Sequence, residues 1–226
     1  MDHKICYLCG NELNSEIDKD HIPPKQFYST EIRKKYSPNL FTLPVHKSCN
    51  SSLQLDEDYF LNSIAPLAGD SFSGKYIWQD IVRKSKRSES KKLMLKVYYE
   101  FQPNLSSLIM PNGKIIKRFD GKRIYNIVWK ITRGLYFKEN NKFLPENTHR
   151  DFDFLSVGQK PPIKFNYILN SKSKGDYPGV FDYKYVEFKE INNFNVWAML
   201  FWNRIIIFVM FHSPDCDCKF CFDSKT

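Results

Sequence analysis

Two short motifs near the start of the chain have the residue types and the spacing of a metal site. The first is Cys6-x-x-Cys9 and the second is His46-x-x-Cys49. Two ligands three residues apart can bind one ion from a tight turn, and two such pairs complete the tetrahedral ligand set that Zn²⁺ prefers. The alternative is that His46 and the three cysteines only pack in a core. The paired spacing favours a structural zinc site.

A second group of residues capable of chemistry lies between and directly after these motifs. Asp20 and His21 are adjacent, Asn39 follows, and Asn50 comes directly after Cys49. A structural zinc site needs no acid–imidazole pair, so a separate catalytic site is indicated. A histidine with its ordinary pKa of about 6.5 can accept a proton from water at neutral pH. A divalent ion held by carboxylate and amide oxygens can polarise a phosphate.

Together these residues resemble the motif of the HNH endonuclease family, in the HNN variant that ends in asparagine. The resemblance covers residues 5–60. It implies a zinc-stabilised ββα-metal (treble-clef) module in which Asp20 and Asn50 hold a catalytic Mg²⁺ or Mn²⁺. It further implies that His21 activates water and that Asn39 orients His21 through its side-chain amide or its backbone carbonyl. The implied activity is metal-dependent hydrolysis of DNA to 5′-phosphate and 3′-hydroxyl ends, in bacterial antiphage defence or a mobile element.

Other interpretations of the same residues stay open. Asn39 is also a common type of turn residue, and Asn50 is also an ordinary residue for the first turn of a helix. Glu57 lies about 10 Å beyond Asn50 by helical rise, so residues 56–58 are expected to form a solvated acidic face. Because the last histidine of the family motif is replaced by Asn50, the rival function is a degenerate treble clef that binds nucleic acid or protein without cleaving it.

The pattern of apolar residues predicts an α+β fold in two parts, with an antiparallel sheet in the second. Residues 1–65 would form the nuclease module, and residues 75–226 a targeting, DNA-binding or regulatory domain, with prolines and glycines between. Residues 48–63, 76–102 (with a basic turn at 83–92) and 123–136 are predicted to be helical. The predicted strands are residues 16–21, 39–45, 114–119, 163–169, 180–188, 194–201 and 205–211.

The amino-acid composition argues against a disordered, membrane-spanning or secreted protein. The chain has 226 residues, of which 42% are hydrophobic and 16% aromatic, as expected of a folded protein. No apolar run approaches the roughly 18 residues of a membrane helix. We expect no secretory leader before Cys6, and we interpret the cysteines as metal ligands in a reducing compartment. We therefore expect a cytoplasmic protein without a membrane partner.

The distribution of charge suggests a polyanionic partner. The net charge is +9, yet residues 1–60 carry 7 Lys/Arg against 9 Asp/Glu and residues 105–160 carry 11 against 5. DNA is the expected partner, held by the basic middle of the chain, where Arg123, Lys130 and Arg133 would share the outer face of a helix. The alternative is an ordinary solvated lysine-rich surface. A regulatory protein partner, a homodimer and the form of the nucleic acid stay open.

The end of the chain carries a third metal-like motif. His212, Cys216, Cys218 and Cys221 offer four ligands within ten residues. A second structural zinc site is one interpretation, and free thiols near a terminus are the other.

Overall fold

The structure is a computed structural model that describes residues 4–14, 16–86, 91–102, 116–155, 159–161, 165–175, 179–189 and 194–212. Its helices are α1 (Thr30–Tyr36), α2 (Lys47–Ser52), α3 (Gln54–Ile64), α4 (Phe72–Ser85), α5 (Lys91–Tyr99), α6 (Gly121–Asn140) and α7 (Asn166–Leu169). Its strands are β1 (Ile17–His21), β2 (Thr42–His46), β3 (Phe101–Gln102), β4 (Ile116–Lys117), β5 (Arg150–Leu155), β6 (Phe181–Phe188), β7 (Phe194–Phe201) and β8 (Ile205–Phe211). The predicted α+β class with an antiparallel sheet is confirmed.

The N-terminal region is a tight turn followed by two antiparallel strands, with α1 in the connection between them, and then by α2. The turn spans Cys6 to Gly10, whose backbone N–H donates to the Cys6 carbonyl at 2.8 Å. Gly10 has a φ of +78°, a conformation that side chains disfavour. Strands β1 and β2 pair antiparallel, with Ile17 opposite His46 and His21 opposite Thr42, and α2 follows β2 without a loop. The predicted helix over residues 48–63 is in fact two helices.

Helix α6 is the central element of the molecule. Its apolar stripe, predicted over residues 123–136, is fully buried, and the helix extends to Asn140. Asp120 caps the N-terminus by accepting a hydrogen bond from the Arg123 backbone N–H at 3.4 Å. The helix ends at Asn141, which takes the left-handed conformation common at that position.

The second half of the chain forms a four-stranded antiparallel sheet in the order β5-β8-β7-β6. Strands β7 and β8 are joined by a tight turn in which Trp202 and Asn203 have positive φ. The sequence pattern did not predict β5, because its charged residues conceal the alternation of its apolar ones. The predicted strand over residues 163–169 is wrong, since its last four residues form α7. Phe165 and Ile168, three positions apart, are buried there while Tyr167 is exposed, which is a helical period.

One large hydrophobic core connects the two parts of the chain, and a smaller cluster that includes Phe165 and Ile168 packs against β5, β7 and β8. One cluster of buried side chains runs from Tyr7 in the N-terminal turn, through α6, to Phe211 in β8. The Trp202 indole N–H donates to the Phe27 carbonyl at 3.0 Å, which joins the sheet to the N-terminal region. The division into residues 1–65 and 75–226 stays a prediction, and the two parts share this core. Within the described ranges, every helix is too short or too polar to span a lipid bilayer.

Candidate functional site

The four predicted zinc ligands converge. The ligand atoms of Cys6, Cys9, His46 and Cys49, which we call the sulfur cluster, all lie within 4.8 Å of one another. The Cys9 Sγ lies 3.3 Å from the His46 Nδ1. Tetrahedral zinc with bonds of about 2.0–2.3 Å places its ligand atoms at such separations. The sulfur cluster could therefore hold a zinc ion, as the spacing predicts.

The surroundings of the sulfur cluster suit a cation. His46 Nε2 lies 3.0 Å from the Glu12 carbonyl, so an N–H at Nε2 leaves Nδ1 as the acceptor facing the thiols. Burial raises the pKa of Cys6, but backbone N–H donors, that of His46 first, outweigh it and leave the pKa below its ordinary value. Burial and the neighbouring thiols raise the pKa of Cys49 to about 11. A zinc ion would relieve this crowding by stabilising the thiolates.

The predicted ligands of the catalytic ion also converge, but they converge on a lysine. Asp20, Asn50 and Glu57, which we call the oxygen cluster, all accept hydrogen bonds from the Lys130 ammonium. Lys130 Nζ lies 2.9 and 2.8 Å from the two Asp20 carboxylate oxygens and 3.3 Å from the Asn50 Oδ1. It also pairs with the Glu57 Oε1. The position predicted for Mg²⁺ or Mn²⁺ is taken by a cation of the protein.

Neighbouring side chains orient the oxygen cluster. The Tyr7 hydroxyl donates to the Asp20 Oδ2 at 2.5 Å. Burial, and then the charge of Asp20, raise the pKa of Tyr7 well above its ordinary value, so its hydroxyl stays a donor. The Asn50 amide N–H donates to the Asp18 Oδ2 at 2.8 Å, which turns the amide oxygen towards Lys130. This hydrogen bond is the largest cause of the lowered pKa of Asp18.

Lys130 reaches the oxygen cluster because two faces that were predicted to be solvated pack together. On α6, the Arg123 guanidinium donates to the Asp56 carboxylate at 2.6 Å, and the Asn126 amide donates to the other Asp56 oxygen at 2.9 Å. One turn further along, Lys130 pairs with Glu57. The predicted outer basic face of α6 and the predicted acidic face of α3 are therefore the two sides of one interface.

Two more basic residues of the segment predicted to hold DNA are also occupied by contacts within the protein. Arg133 is 3% exposed and donates to the Leu144 carbonyl at 2.9 Å and to the Leu8 carbonyl, so it fixes the N-terminal turn on α6. The side chain of Lys117 is 7% exposed and pairs with Glu100 at 2.9 Å. These side chains stabilise the fold and cannot meet a phosphate at the surface.

His21 lies apart from Lys130, on an open cleft. The cleft has a volume of about 540 Å³, and its wall includes His21, Lys25, Arg33 and Lys34. The 3₁₀ turn Lys25–Phe27 and helix α1 supply the three cations. Burial, and then the charge of Lys25, lower the pKa of His21. The imidazole is therefore neutral at pH 7 and can accept a proton.

Of the remaining predicted site residues, those that the structure describes are not joined to either cluster or to His21 by a hydrogen bond, and the others lie outside the described ranges. Asn39 is exposed, and among the described residues no hydrogen bond joins it to His21, although its neighbours Pro38 and Leu40 line the cleft. The predicted ligands Cys216, Cys218 and Cys221 lie outside the described residues. His212 is described, at the end of β8, with its ring 6.3 Å from that of His149.

Sequence reasoning missed Lys130 and Glu57 as members of the site. A signal for Lys130 was present in Gly134, which follows one turn later on the same side of α6. A Cβ at Gly134 would lie 2.1 Å from the Ile22 Cδ1, so the helix approaches the end of β1 as closely as a residue without a side chain allows. An interior helix glycine can therefore indicate a close approach that brings a neighbouring polar residue into a site.

Comparison of the chain with protein-family models, with curated proteins and with solved structures returns no match. The resemblance of residues 5–60 to HNH endonucleases therefore depends on the motifs alone.

Proposed function

We propose that the protein is an endonuclease that hydrolyses DNA phosphodiester bonds, with His21 as its general base. The observation that carries the proposal is the cleft, in which a histidine of lowered pKa lies among three cations. His21, at the end of β1, is also the residue to which the motif resemblance assigns this role. The cleft and the motif thus both support His21 as the general base.

The residues of the cleft can supply most of the chemistry. Lys25, Arg33 and Lys34 can hold a phosphate and neutralise the charge that develops on it. Neutral His21 can take a proton from the attacking water as the new P–O bond forms. The bond to the 3′-oxygen then breaks, and that oxygen takes a proton from solvent. The products are a 5′-phosphate and a 3′-hydroxyl, the ends that the resemblance implies.

The catalytic Mg²⁺ or Mn²⁺ that the resemblance implies does not fit the side chains as they stand. Asp20 and Asn50 face each other across the Lys130 ammonium, and Lys130 is 1% exposed. We therefore assign no step to a divalent ion at the oxygen cluster. In the proposed reaction the positive charge next to the phosphate comes from the cleft.

The test is cleavage of supercoiled plasmid by the zinc-loaded protein, with and without added Mg²⁺ or Mn²⁺. The parent protein should nick or linearise the plasmid, and His21→Ala should lose at least about a hundredfold in rate, as general bases commonly contribute. His149→Ala, which removes an exposed histidine outside the cleft, is the matched control and should cut normally. Equal cleavage by His21→Ala and the parent would rule out His21 as the base.

A second variant set tests the cleft as the phosphate site. Arg33→Gln and Lys34→Gln should each weaken DNA binding and reduce its dependence on salt, since every phosphate contact releases counterions. Lys47→Gln is the control, because Lys47 is an exposed lysine that pairs with Glu16 outside the cleft. Binding that responds equally to all three variants would place the DNA elsewhere.

The rival function is a zinc module that binds nucleic acid or protein without cleaving it. The observation in its favour is Lys130, because an ammonium in the ion position is what a degenerate nuclease site would show. This function predicts tight DNA binding that is indifferent to divalent ions and no cleavage of DNA or RNA in the same assay. Cleavage that depends on His21 would exclude it.

A further inference from the structure

The Lys130 ammonium is held by oxygens from three separate elements. Asp20 belongs to β1, Asn50 to α2 and Glu57 to α3, while Lys130 itself comes from α6. Three of the four contacts measure 2.8–3.3 Å from Nζ, and the fourth is the ion pair with Glu57. An ammonium has three N–H donors, and here each of the three residues offers it an oxygen.

The lysine has no room to withdraw from this position. Its side chain is 1% exposed. On one side of it, Arg123 ties α6 to Asp56 of α3. On the other side, Gly134 packs against Ile22, and Arg133 binds the carbonyl of Leu8. The helix that carries Lys130 is thus fixed at both ends of the site.

From this arrangement we infer that Lys130 is the built-in cation of the oxygen cluster, and that its ammonium keeps divalent ions out of the position predicted for them. A Mg²⁺ or Mn²⁺ ion bound by the same oxygens would lie next to the ammonium, and the two positive charges would repel strongly in a buried site. Expelling the ammonium would leave a buried charge without partners, which proteins avoid.

The ligand types make the inference specific. Two carboxylates and an amide oxygen are ligands that Mg²⁺ and Mn²⁺ prefer. The carboxylates of Asp20 and Glu57 carry two negative charges, and the ammonium balances one of them. Removing the ammonium should therefore convert the oxygen cluster into a divalent site. The inference rests on the proposed function in one respect only. If the protein cleaves DNA, that cleavage needs no divalent ion at the oxygen cluster.

The experiment is a titration of the zinc-loaded full chain with Mn²⁺, followed by the electron paramagnetic resonance signal of free Mn²⁺ and by thermal unfolding. The parent should bind no Mn²⁺ at the cluster in the low millimolar range. Lys130→Met, whose side chain is uncharged and one atom shorter, should bind one Mn²⁺. Saturating Mn²⁺ should raise its melting temperature by about 5 °C or more.

Two control variants locate the effect. Lys117→Met removes another buried lysine that pairs with a carboxylate, and it should gain no Mn²⁺ binding. The double variant Lys130→Met with Glu57→Gln should lose the binding that Lys130→Met gains. If Lys130→Met gains no site, the inference is wrong.

If Lys130→Met does not fold, Mn²⁺ binding by the parent protein alone still tests the inference. One Mn²⁺ bound by the parent and lost in Asp20→Asn would overturn it, and no such binding would support it. Neither readout depends on cleavage. An inactive protein with the expected Mn²⁺ behaviour would count against the proposed function alone, and an active protein whose parent form binds Mn²⁺ at Asp20 would count against the inference alone.

Discussion

The sulfur cluster and the oxygen cluster share two segments of the chain, yet they differ in the cation that they can bind. The sulfur cluster could bind a metal ion, whereas the oxygen cluster binds the Lys130 ammonium. Cys6 belongs to the first and the adjacent Tyr7 orients Asp20 of the second. Likewise Cys49 belongs to the first and the adjacent Asn50 to the second. The sulfur cluster gathers four ligand atoms with no cationic side chain between them, whereas the oxygen cluster encloses an ammonium.

The difference shows that convergence of ligand-type residues is not enough to assign an ion. In the sulfur cluster, burial and then the neighbouring thiols raise the pKa of Cys49 to about 11. In the oxygen cluster a positive charge arrives from a helix about 80 residues further along the chain, since Lys130 contacts Asn50. Perturbing each cluster separately should therefore have different consequences.

The largest effect is expected from loss of the zinc. Cys49→Ser should lose the zinc and with it the fold of the N-terminal region, because structural zinc contributes about 10 kcal/mol or more in small modules. Zinc content and circular dichroism measure the two losses. Cys218→Ser is the matched control, and it should keep the zinc of the sulfur cluster. If it lowers the zinc content from two ions to one, the predicted second site in the tail is established.

The second largest effect, a loss of stability, is expected from substitution of Asp20. Asp20→Asn removes the charge that pairs with the buried Lys130 and should lower the free energy of unfolding by about 3 kcal/mol, measured by denaturant titration. Asp18→Asn, at an exposed carboxylate on the same strand, should cost less than about 1 kcal/mol. Equal effects of the two substitutions would contradict the ion pair between Lys130 and Asp20.

The Tyr7 hydroxyl should contribute less than the Asp20 charge. Tyr7→Phe keeps the buried ring but leaves the Asp20 Oδ2 without one of its donors, at a cost of about 1–2 kcal/mol. Because Tyr7 lies next to Cys6, zinc content must be measured with the unfolding free energy. Unchanged zinc with reduced stability assigns the loss to the oxygen cluster, and a loss of zinc would assign it to the sulfur cluster instead.

The smallest effect is expected at Gly134. A methyl group there would meet the Ile22 side chain at 2.1 Å, so Gly134→Ala should destabilise the protein by about 1 kcal/mol, despite the better helix propensity of alanine. Gly121→Ala at the start of the same helix is the control. Its nearest neighbour would be Tyr125 at an ordinary 3.5 Å, and this substitution should be neutral or stabilising.

Local patterns in the sequence predicted the parts of the fold that local physics controls. The paired spacing of the cysteines predicted the sulfur cluster, the apolar period predicted α6, and the strand pattern predicted β6, β7 and β8. The failures came from long-range packing. Asp56 and Arg123 look solvated in sequence because each is charged, and only their pairing across α3 and α6 explains their burial.

The same reason limited the prediction of the site. Asp20 and Asn50 were identified from a motif as ligands of a divalent ion, and in the structure both accept hydrogen bonds from Lys130. Lys130 was assigned to an exposed face because nothing within its own helix indicates a partner for its charge. The structure joins the two regions through a buried ion pair, which is a tertiary contact that no local period encodes.

The most direct test of the contrast between the clusters is a crystal of the protein soaked in Mn²⁺, with anomalous diffraction recorded at the zinc and manganese absorption edges. The expected result is a zinc peak between Cys6, Cys9, His46 and Cys49, and no manganese peak between Asp20, Asn50 and Glu57, where the density should show the Lys130 ammonium. A manganese peak at the oxygen cluster, with Lys130 displaced, would contradict it.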